Sequence, residues 1–354
     1  MTIALCMIVK NEEKLLPKAI ESVKPIIDEL LVVDTGSTDR TIDVAKKYGA
    51  TVIPYKWNDN FAEARNVSIR NAKSDWILVL DADETIAKSD LDYVKELTHN
   101  DKYLGYFFTQ RNYAHVENVA GIQLSDNDKY KESKAYVGWT ESQLTRLFRN
   151  MPEIKYEEYD YVHEDVAHSI LKLGEDKITR VDVPIHHFGR VIRSYGERLK
   201  WSDMYIRIGL RKLNDKIKAK ASGRELAIAC YEIGNSYGFK QDLDNALKYF
   251  KMAADYDNKF RPALSNIGRV YAGKGDLDSG ARYLQKALSI RDEDDEIIAD
   301  DYMFLAKIYI NKKEILDKAI PALMKCLEYQ PDNVEAGQMM KAVEGIVRHH
   351  LKNK

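Results

Sequence analysis

From about residue 224 onward the sequence repeats itself, and this constrains the fold more than any other feature. Gly234 and Tyr237 in "CYEIGNSY" recur as Gly268 and Tyr271 in "SNIGRVY", 34 residues later. Ala246, Phe250 and Ala253 are answered by Gly280, Leu284 and Ala287. A third copy, "YMFLAKIY", carries Ala306 and Tyr309, then Ala319, Leu323 and Pro331, with its spacing stretched by a few residues. Each unit reads as two helices that cannot bury their apolar faces alone, so the units must stack. Three copies and a polar final helix over 333–352 meet the minimum for a stable array.

The period, with small residues at the helix crossings, is the signature of tetratricopeptide repeats. A chain of 354 residues exceeds what one core usually organises, so a separate domain is expected ahead of the repeats. The first hundred residues supply it. "TIALCMIVK", "ELLVVD", "ATVIPY" and "DWILVLD" read as strands. Between them, "EEKLLPKAIESV", "STDRTIDVAKKYG" and "NFAEARNVSIRNA" read as helices, the second with Ser37 at its N-cap and Gly49 just past its end. This alternation predicts a mostly parallel sheet covered on both faces. Residues 103–190 look different, with strand-like "YLGYFFTQRNY", "TRLFRN" and "ITRVDVPIHHFG". The polar stretch 118–134 reads as a long loop of the kind that often forms a mobile lid. "YGERLKWSDMYIRIGLRKLNDKIK" reads as an amphipathic connecting helix. The expected domains are 1–190, a connecting helix over 191–223, and the repeats over 224–354.

Composition narrows the function. Net charge is −2, so there is no global basic footprint for nucleic acid. Cys6, Cys230 and Cys326 match no metal spacing and suit a reducing compartment. The apolar opening lacks a basic leader region and is too short to span a bilayer, so it reads as a first strand in a cytoplasmic protein.

Ligands of such sheets bind beyond the carboxyl ends of the strands. Asn11, Asp34 and Asp81 all lie at such ends. "WILVLDADETI" delivers Asp81, Asp83 and Glu84 together. Such acids can simply begin a helix, but two carboxylates flanking one small residue at a strand exit also suit Mg²⁺ or Mn²⁺ completed by substrate phosphates. Glu84 is expected to cap the next helix or to orient Asp83. Along "VPIHHFG" only one of His186 and His187 can face the crevice.

"CMIVKNEE", "LLVVDTGSTDRT", "FAEARNVSIRNAKSDWILVLDADE", "RLFRN", "VHED" and "IHHFG" resemble the family 2 glycosyltransferases of the GT-A fold, an α/β architecture with a Rossmann-like mixed sheet. The match is to bacterial members with an all-α tetratricopeptide-repeat domain at the C-terminus. Sublancin-type enzymes, which glycosylate cysteine or serine of a bacteriocin precursor peptide, resemble this arrangement too. The resemblance implies an inverting, metal-dependent hexosyl transfer from a nucleotide-diphosphate sugar. It implies Asp83 and His187 as metal ligands, with Asp81 on the ribose and supporting the metal. Asp34 would accept from the base N–H, which suits a UDP-sugar, and Asp39 and Arg65 would line the nucleotide pocket. Asn11 would touch the nucleotide or cap the next helix. Glu164 is the implied base, with Asp165 as the alternative, and His163 could orient either the acceptor or that base. Where the family often has Tyr after the Gly, this chain has Arg190, which with Arg193 and Arg198 could hold the diphosphate. Arg146 and Arg149 receive no role.

The expected partners are a nucleotide-sugar donor and a peptide or protein acceptor held by the repeats, which could also carry a homodimer contact. A cell-surface polymer or lipid-linked acceptor is the alternative. A non-catalytic repeat scaffold and a nucleotidyltransferase are weaker options.

Overall fold

The structure, a computed structural model, describes residues 1–116, 121–158, 164–290 and 295–352. It divides into two compact units, Met1–Tyr195 and Gly196–Lys354. In the first, strands β1 (Ile3–Val9), β2 (Glu29–Asp34), β3 (Thr51–Pro54) and β4 (Trp76–Val79) alternate with helices α1 (Leu16–Val23), α2 (Thr41–Lys47) and α3 (Phe61–Asn71). Then come β5 (Glu84–Ile86), α4 (Leu91–Leu97), β6 (Gly105–Ala114), β7 (Gln123–Leu124), β8 (Gly138–Arg149), β9 (Glu157–Glu158), β10 (Glu164–Asp165), α5 (Ala167–Leu171), β11 (Ile178–His187) and α6 (Gly189–Ile192).

The main sheet runs β3-β2-β1-β4-β8-β6-β11-β5, with β7 paired to β8. Its first four strands are parallel. β8 reverses direction and pairs antiparallel with both β4 and β6, so the sheet is mixed, as expected. β1 reads as an unbroken apolar run because both its faces are covered. Ile3, Leu5 and Met7 pack with Leu16 and Ile20 of α1, while Ala4 and Cys6 pack with Ala62 and Ile69 of α3. α3 starts where expected, with Asn60 Oδ1 accepting from Glu63 N at 2.6 Å.

Three local expectations change. Ser37 does not cap α2, which begins four residues later at Thr41; its hydroxyl accepts from Asn11 N at 2.9 Å instead. From Gly121 on, the polar stretch expected as a lid is tied to the sheet. β7 pairs with β8, and Asp128 accepts from Arg111 Nη1 at 3.0 Å, so its polar residues satisfy a sheet arginine. Glu84 does not cap a helix. It lies in β5, fully buried, where Oε2 accepts from Asp81 N at 2.8 Å and Oε1 from Arg146 Nη2 at 2.6 Å.

Arg146 reaches that position through a bulge. Tyr106 of β6 faces Leu147 of β8, but Phe107 faces Thr145, leaving Arg146 as the extra residue. Its side chain is 5% exposed and that of Glu84 0%. Burial pushes the Glu84 carboxyl up, and Arg146 is what opposes it.

In the second unit, α7 (Tyr195–Lys218) precedes the helix pairs α8 (Gly223–Phe239) and α9 (Leu243–Tyr256), α10 (Arg261–Gly273) and α11 (Leu277–Leu288), and α12 (Asp295–Asn311) and α13 (Ile320–Tyr329), closed by α14 (Val334–Lys352). Small residues sit at the crossings for the expected reason. A Cβ on Gly234 would come 2.6 Å from the Phe250 ring, and one on Gly268 2.8 Å from Leu284 Cγ. A π-helical turn over Ile315–Ala319 lies within the stretched third copy.

α7, expected as a connector, belongs to this unit. Lys240, Lys274 and Lys312 each follow the first helix of a pair, and they bind Asp203, Asp244 and Asp278 respectively. Asp244 and Asp278 lie in the second helices of the preceding pairs. Asp203 of α7 fills the same place, so α7 packs as the second helix of an incomplete leading pair.

Two predictions follow from this packing. Glu84→Ala strands a buried guanidinium and should lower stability by about 3–5 kcal/mol in urea denaturation; a change under 1 kcal/mol would mean the pair contributes little. Cys6, Cys230 and Cys326 are free and buried, and burial pushes their thiols up to about 12, 11 and 11. A thiol reagent at pH 8 should therefore label none of them rapidly in the native protein and all of them after denaturation.

Candidate active site

The exits of β1 and β2 are laced together. Asn11 adopts φ +58°, and its Oδ1 accepts from Thr38 N at 2.7 Å. Asp34 turns back on its own loop, accepting from Gly36 N and Ser37 N at 3.1 Å. Asp39 accepts from Thr41 N at 2.9 Å and Glu13 N at 3.3 Å. Burial opposes its charge, but these bonds and the Thr41 hydroxyl hold its carboxyl low. Asn11, Asp34 and Asp39 thus shape one loop pair, and Asp39 serves the start of α2.

At the exit of β4, Asp81 lies between two guanidiniums. Arg65 Nη2 of α3 is 2.9 Å from Oδ1, and Arg146 Nη2 is 3.4 Å from Oδ2. Burial alone would raise the Asp81 carboxyl; the two arginines outweigh it and hold it well below the usual range. Arg65 is buried. Its Nε also binds Glu164 Oε1 at 2.7 Å, and its Nη1 is buried with no hydrogen-bond partner. One arginine therefore joins the aspartate and the glutamate singled out in the sequence. Asp165 does different work: it accepts from Thr145 N at 3.2 Å and from Ala167 N at 2.6 Å, which fixes the start of α5. His163 lies outside the described residues.

Asp83 faces another direction. His187 Nε2 is 3.6 Å from its Oδ1, and Arg193 Nη2 is 2.9 Å from its Oδ2. Burial opposes the Asp83 charge, but His187 and Arg193 together lower its carboxyl. Burial likewise opposes the His187 charge, but Asp83 reverses that and raises it. His186 points the other way along β11. It is fully buried, its Nδ1 is 2.6 Å from Tyr113 Oη, and burial pushes it down to about 3. The choice that the sequence left open thus falls to His187.

Two neighbours had no sequence signal. Glu12 binds Arg193 Nη2 at 2.8 Å, across 181 residues of chain, and burial pushes its carboxyl up to about 7 against the pull of that arginine. Asn112 Oδ1 lies 2.7 Å from His187 Nδ1. The three arginines Arg190, Arg193 and Arg198 are each described in their own unit. Arg193 is committed to Asp83 and Glu12, Arg190 is exposed on α6, and Arg198 belongs to the second unit over the Phe239 ring. Asp81, expected as a further metal ligand, pairs with both arginines and keeps a third of its side chain exposed.

Among the described residues no group of three His, Cys, Asp or Glu side chains forms a metal cage. The Asp83–His187 pair nevertheless fits one divalent ion that takes its other ligands from substrate and water. A Cβ on Gly189 would lie 2.5 Å from Asp83 Oδ2 and 2.7 Å from His187 Nε2, so the glycine leaves open the space both atoms face. One carboxylate oxygen and one imidazole nitrogen are acceptable to Mn²⁺.

Comparisons with known proteins agree with this architecture. Residues 4–153 match the model "Glycosyl transferase family 2", and 227–260, 262–294 and 302–333 match "Tetratricopeptide repeat". A TPR repeat-containing protein of Synechococcus elongatus is 36% identical over 192 residues, 53% of this chain and 42% of that protein. An uncharacterized glycosyltransferase of Rickettsia bellii is 37% identical over 107 residues, 29% of this chain and 36% of that protein. The SPbeta prophage-derived glycosyltransferase SunS of Bacillus subtilis is 30% identical over 166 residues, 46% of this chain and 34% of that protein. The chain therefore spans well under half the length of these relatives. No helix among the described residues is long and apolar enough to cross a membrane. Residues 4–153 are thus similar to glycosyl transferase family 2, and the stretches within 227–333 are similar to tetratricopeptide repeats.

Proposed function

We propose that this chain is an inverting, metal-dependent glycosyltransferase that moves a hexose from a UDP-sugar to a peptide or protein acceptor. The observation that carries the reading is that one strand exit feeds two sites, through Asp83 on one side and Asp81 on the other. Asp83 and His187 flank the space beside Gly189, while Glu164 is held by Arg65, which also binds Asp81.

In this reading Asp83 and His187 hold Mn²⁺ or Mg²⁺, which supplies positive charge for the leaving diphosphate. Asp34 accepts from the uracil N–H, with Asn11 and Asp39 shaping the loops around it. Asp81 keeps its solvent-facing side for the ribose hydroxyls. Arg65 positions Glu164. The acceptor oxygen or sulfur attacks the anomeric carbon, the bond from that carbon to the diphosphate oxygen breaks, and the acceptor proton passes to Glu164. Asp165 is the weaker base candidate because two backbone N–H groups already occupy its oxygens. The repeats offer an extended surface suited to a peptide acceptor. Three free thiols suit a reducing compartment such as the cytoplasm.

The test is mass spectrometry of peptides and glycans incubated with the full chain, Mn²⁺ and a panel of nucleotide sugars. A hexose-mass adduct on peptide is expected with the UDP-sugar. Glu164→Gln should cut that transfer about 10²–10⁴-fold with UDP affinity unchanged by calorimetry; a fully active variant removes Glu164 as the base. An adduct on glycans alone would move the acceptor to a polymer. Gly189→Ala should remove Mn²⁺ binding, followed by electron paramagnetic resonance, with circular dichroism unchanged. Retained binding would reject the site beside Gly189.

A further inference from the structure

We propose that Asn112 is a positioning residue that fixes the ring tautomer of His187 for a divalent cation; this rests on the reading of Asp83 and His187 as the metal pair. Asn112 is buried on β6 and stands in register with His187 on β11 and with Thr140 on β8. Its amide has partners on both neighbouring strands. Nδ2 lies 3.5 Å from the Thr140 carbonyl and 3.3 Å from Ser142 Oγ. A carbonyl only accepts, which favours the NH₂ on the Thr140 side and Oδ1 toward His187. Oδ1 only accepts as well. The 2.7 Å contact then requires His187 Nδ1 to carry the hydrogen and donate.

With Nδ1 protonated, the lone pair of the neutral ring sits on Nε2. That is the nitrogen facing Asp83 and the space left by Gly189. Metal-ligating histidines almost always donate their other ring N–H to an acceptor, which sets both tautomer and ring angle. Here the acceptor is a neutral amide, not the carboxylate or main-chain carbonyl that often fills this role. An amide raises imidazole basicity less than a carboxylate does, which suits an ion that binds and leaves with the diphosphate.

The test titrates Mn²⁺ and Mg²⁺ into the full chain, with and without UDP, for the wild type, Asn112→Leu, Asn112→Asp and Asp83→Asn. Asn112→Leu should raise the Mn²⁺ Kd about 10- to 100-fold. It should weaken Mg²⁺ less, because imidazole contributes less to Mg²⁺, so the Mn²⁺ preference shrinks. Asn112→Asp preserves the acceptor and should bind Mn²⁺ at least as tightly as the wild type. A residue that merely packs would lose affinity equally in both variants and for both ions, and that result overturns the proposal. If Asn112→Leu fails to fold, Asn112→Asp decides alone: a tenfold weakening rejects the tautomer role. Asp83→Asn separates the two claims. If it leaves Mn²⁺ affinity unchanged, the metal reading fails; if it abolishes binding while Asn112→Leu does not alter it, only the role of Asn112 falls.

Discussion

Three carboxylates within four residues at the end of a buried strand can persist only if opposite charge reaches each of them. Arg65, Arg146 and Arg193 do this from α3, β8 and the segment after α6. The mutual placement of those elements is thus fixed electrostatically as well as by packing. Arg146 goes to the fully buried Glu84 and touches Asp81 at longer range; Arg65 takes Asp81 and reaches on to Glu164; Arg193 takes Asp83 and Glu12. The acids are graded from buried and structural to partly open.

That gradation separates roles within one short motif. Glu84 accepts from the Asp81 backbone and never meets solvent, so it shapes the turn. Asp81 retains a side chain 33% exposed, which leaves it able to meet a ligand while held by two guanidiniums. Asp83 looks across the Gly189 gap at His187. The histidine pair is split as cleanly: His186 is kept neutral in an aromatic pocket beside Tyr113 and Tyr130, and His187 is raised by Asp83.

Much of this was legible in the sequence because it rests on periodicity. The alternation of strands and helices, the 34-residue helical period and the small residues at the crossings all follow from local pattern, while the mixed sheet came with the family resemblance. So does the restriction to one of the two histidines, since strand alternation forbids both. What stayed hidden depends on side chains meeting across the fold. Nothing in "TRLFRN" says that one arginine belongs to a bulge. Nothing near Glu12 points to Arg193, and Asn112 resembles any polar residue on a half-buried strand. Ser37 reads as a cap because several residues in "DTGSTDRT" can cap a helix, and the tertiary contact to Asn11 takes its hydroxyl elsewhere. α7 read as a connector because its repeat-like contact, the Asp203 pair, has no second copy upstream to reveal a period.

The bulge at Arg146 has a meaning for how the sheet is assembled. β8 pairs with β4, β6 and β7, so its alignment sets the central seam of the sheet. Side chains alternate along a strand, and a one-residue slip would send the whole set to the opposite face. In β8 that slip would carry a guanidinium away from Glu84 and Asp81. Glu84 would lose its counter-charge in the same step, and Asp81 would keep only Arg65. The ion pair therefore penalises misaligned strand pairings more than it deepens the native one, and it acts as a proofreading device for the β4–β8–β6 seam.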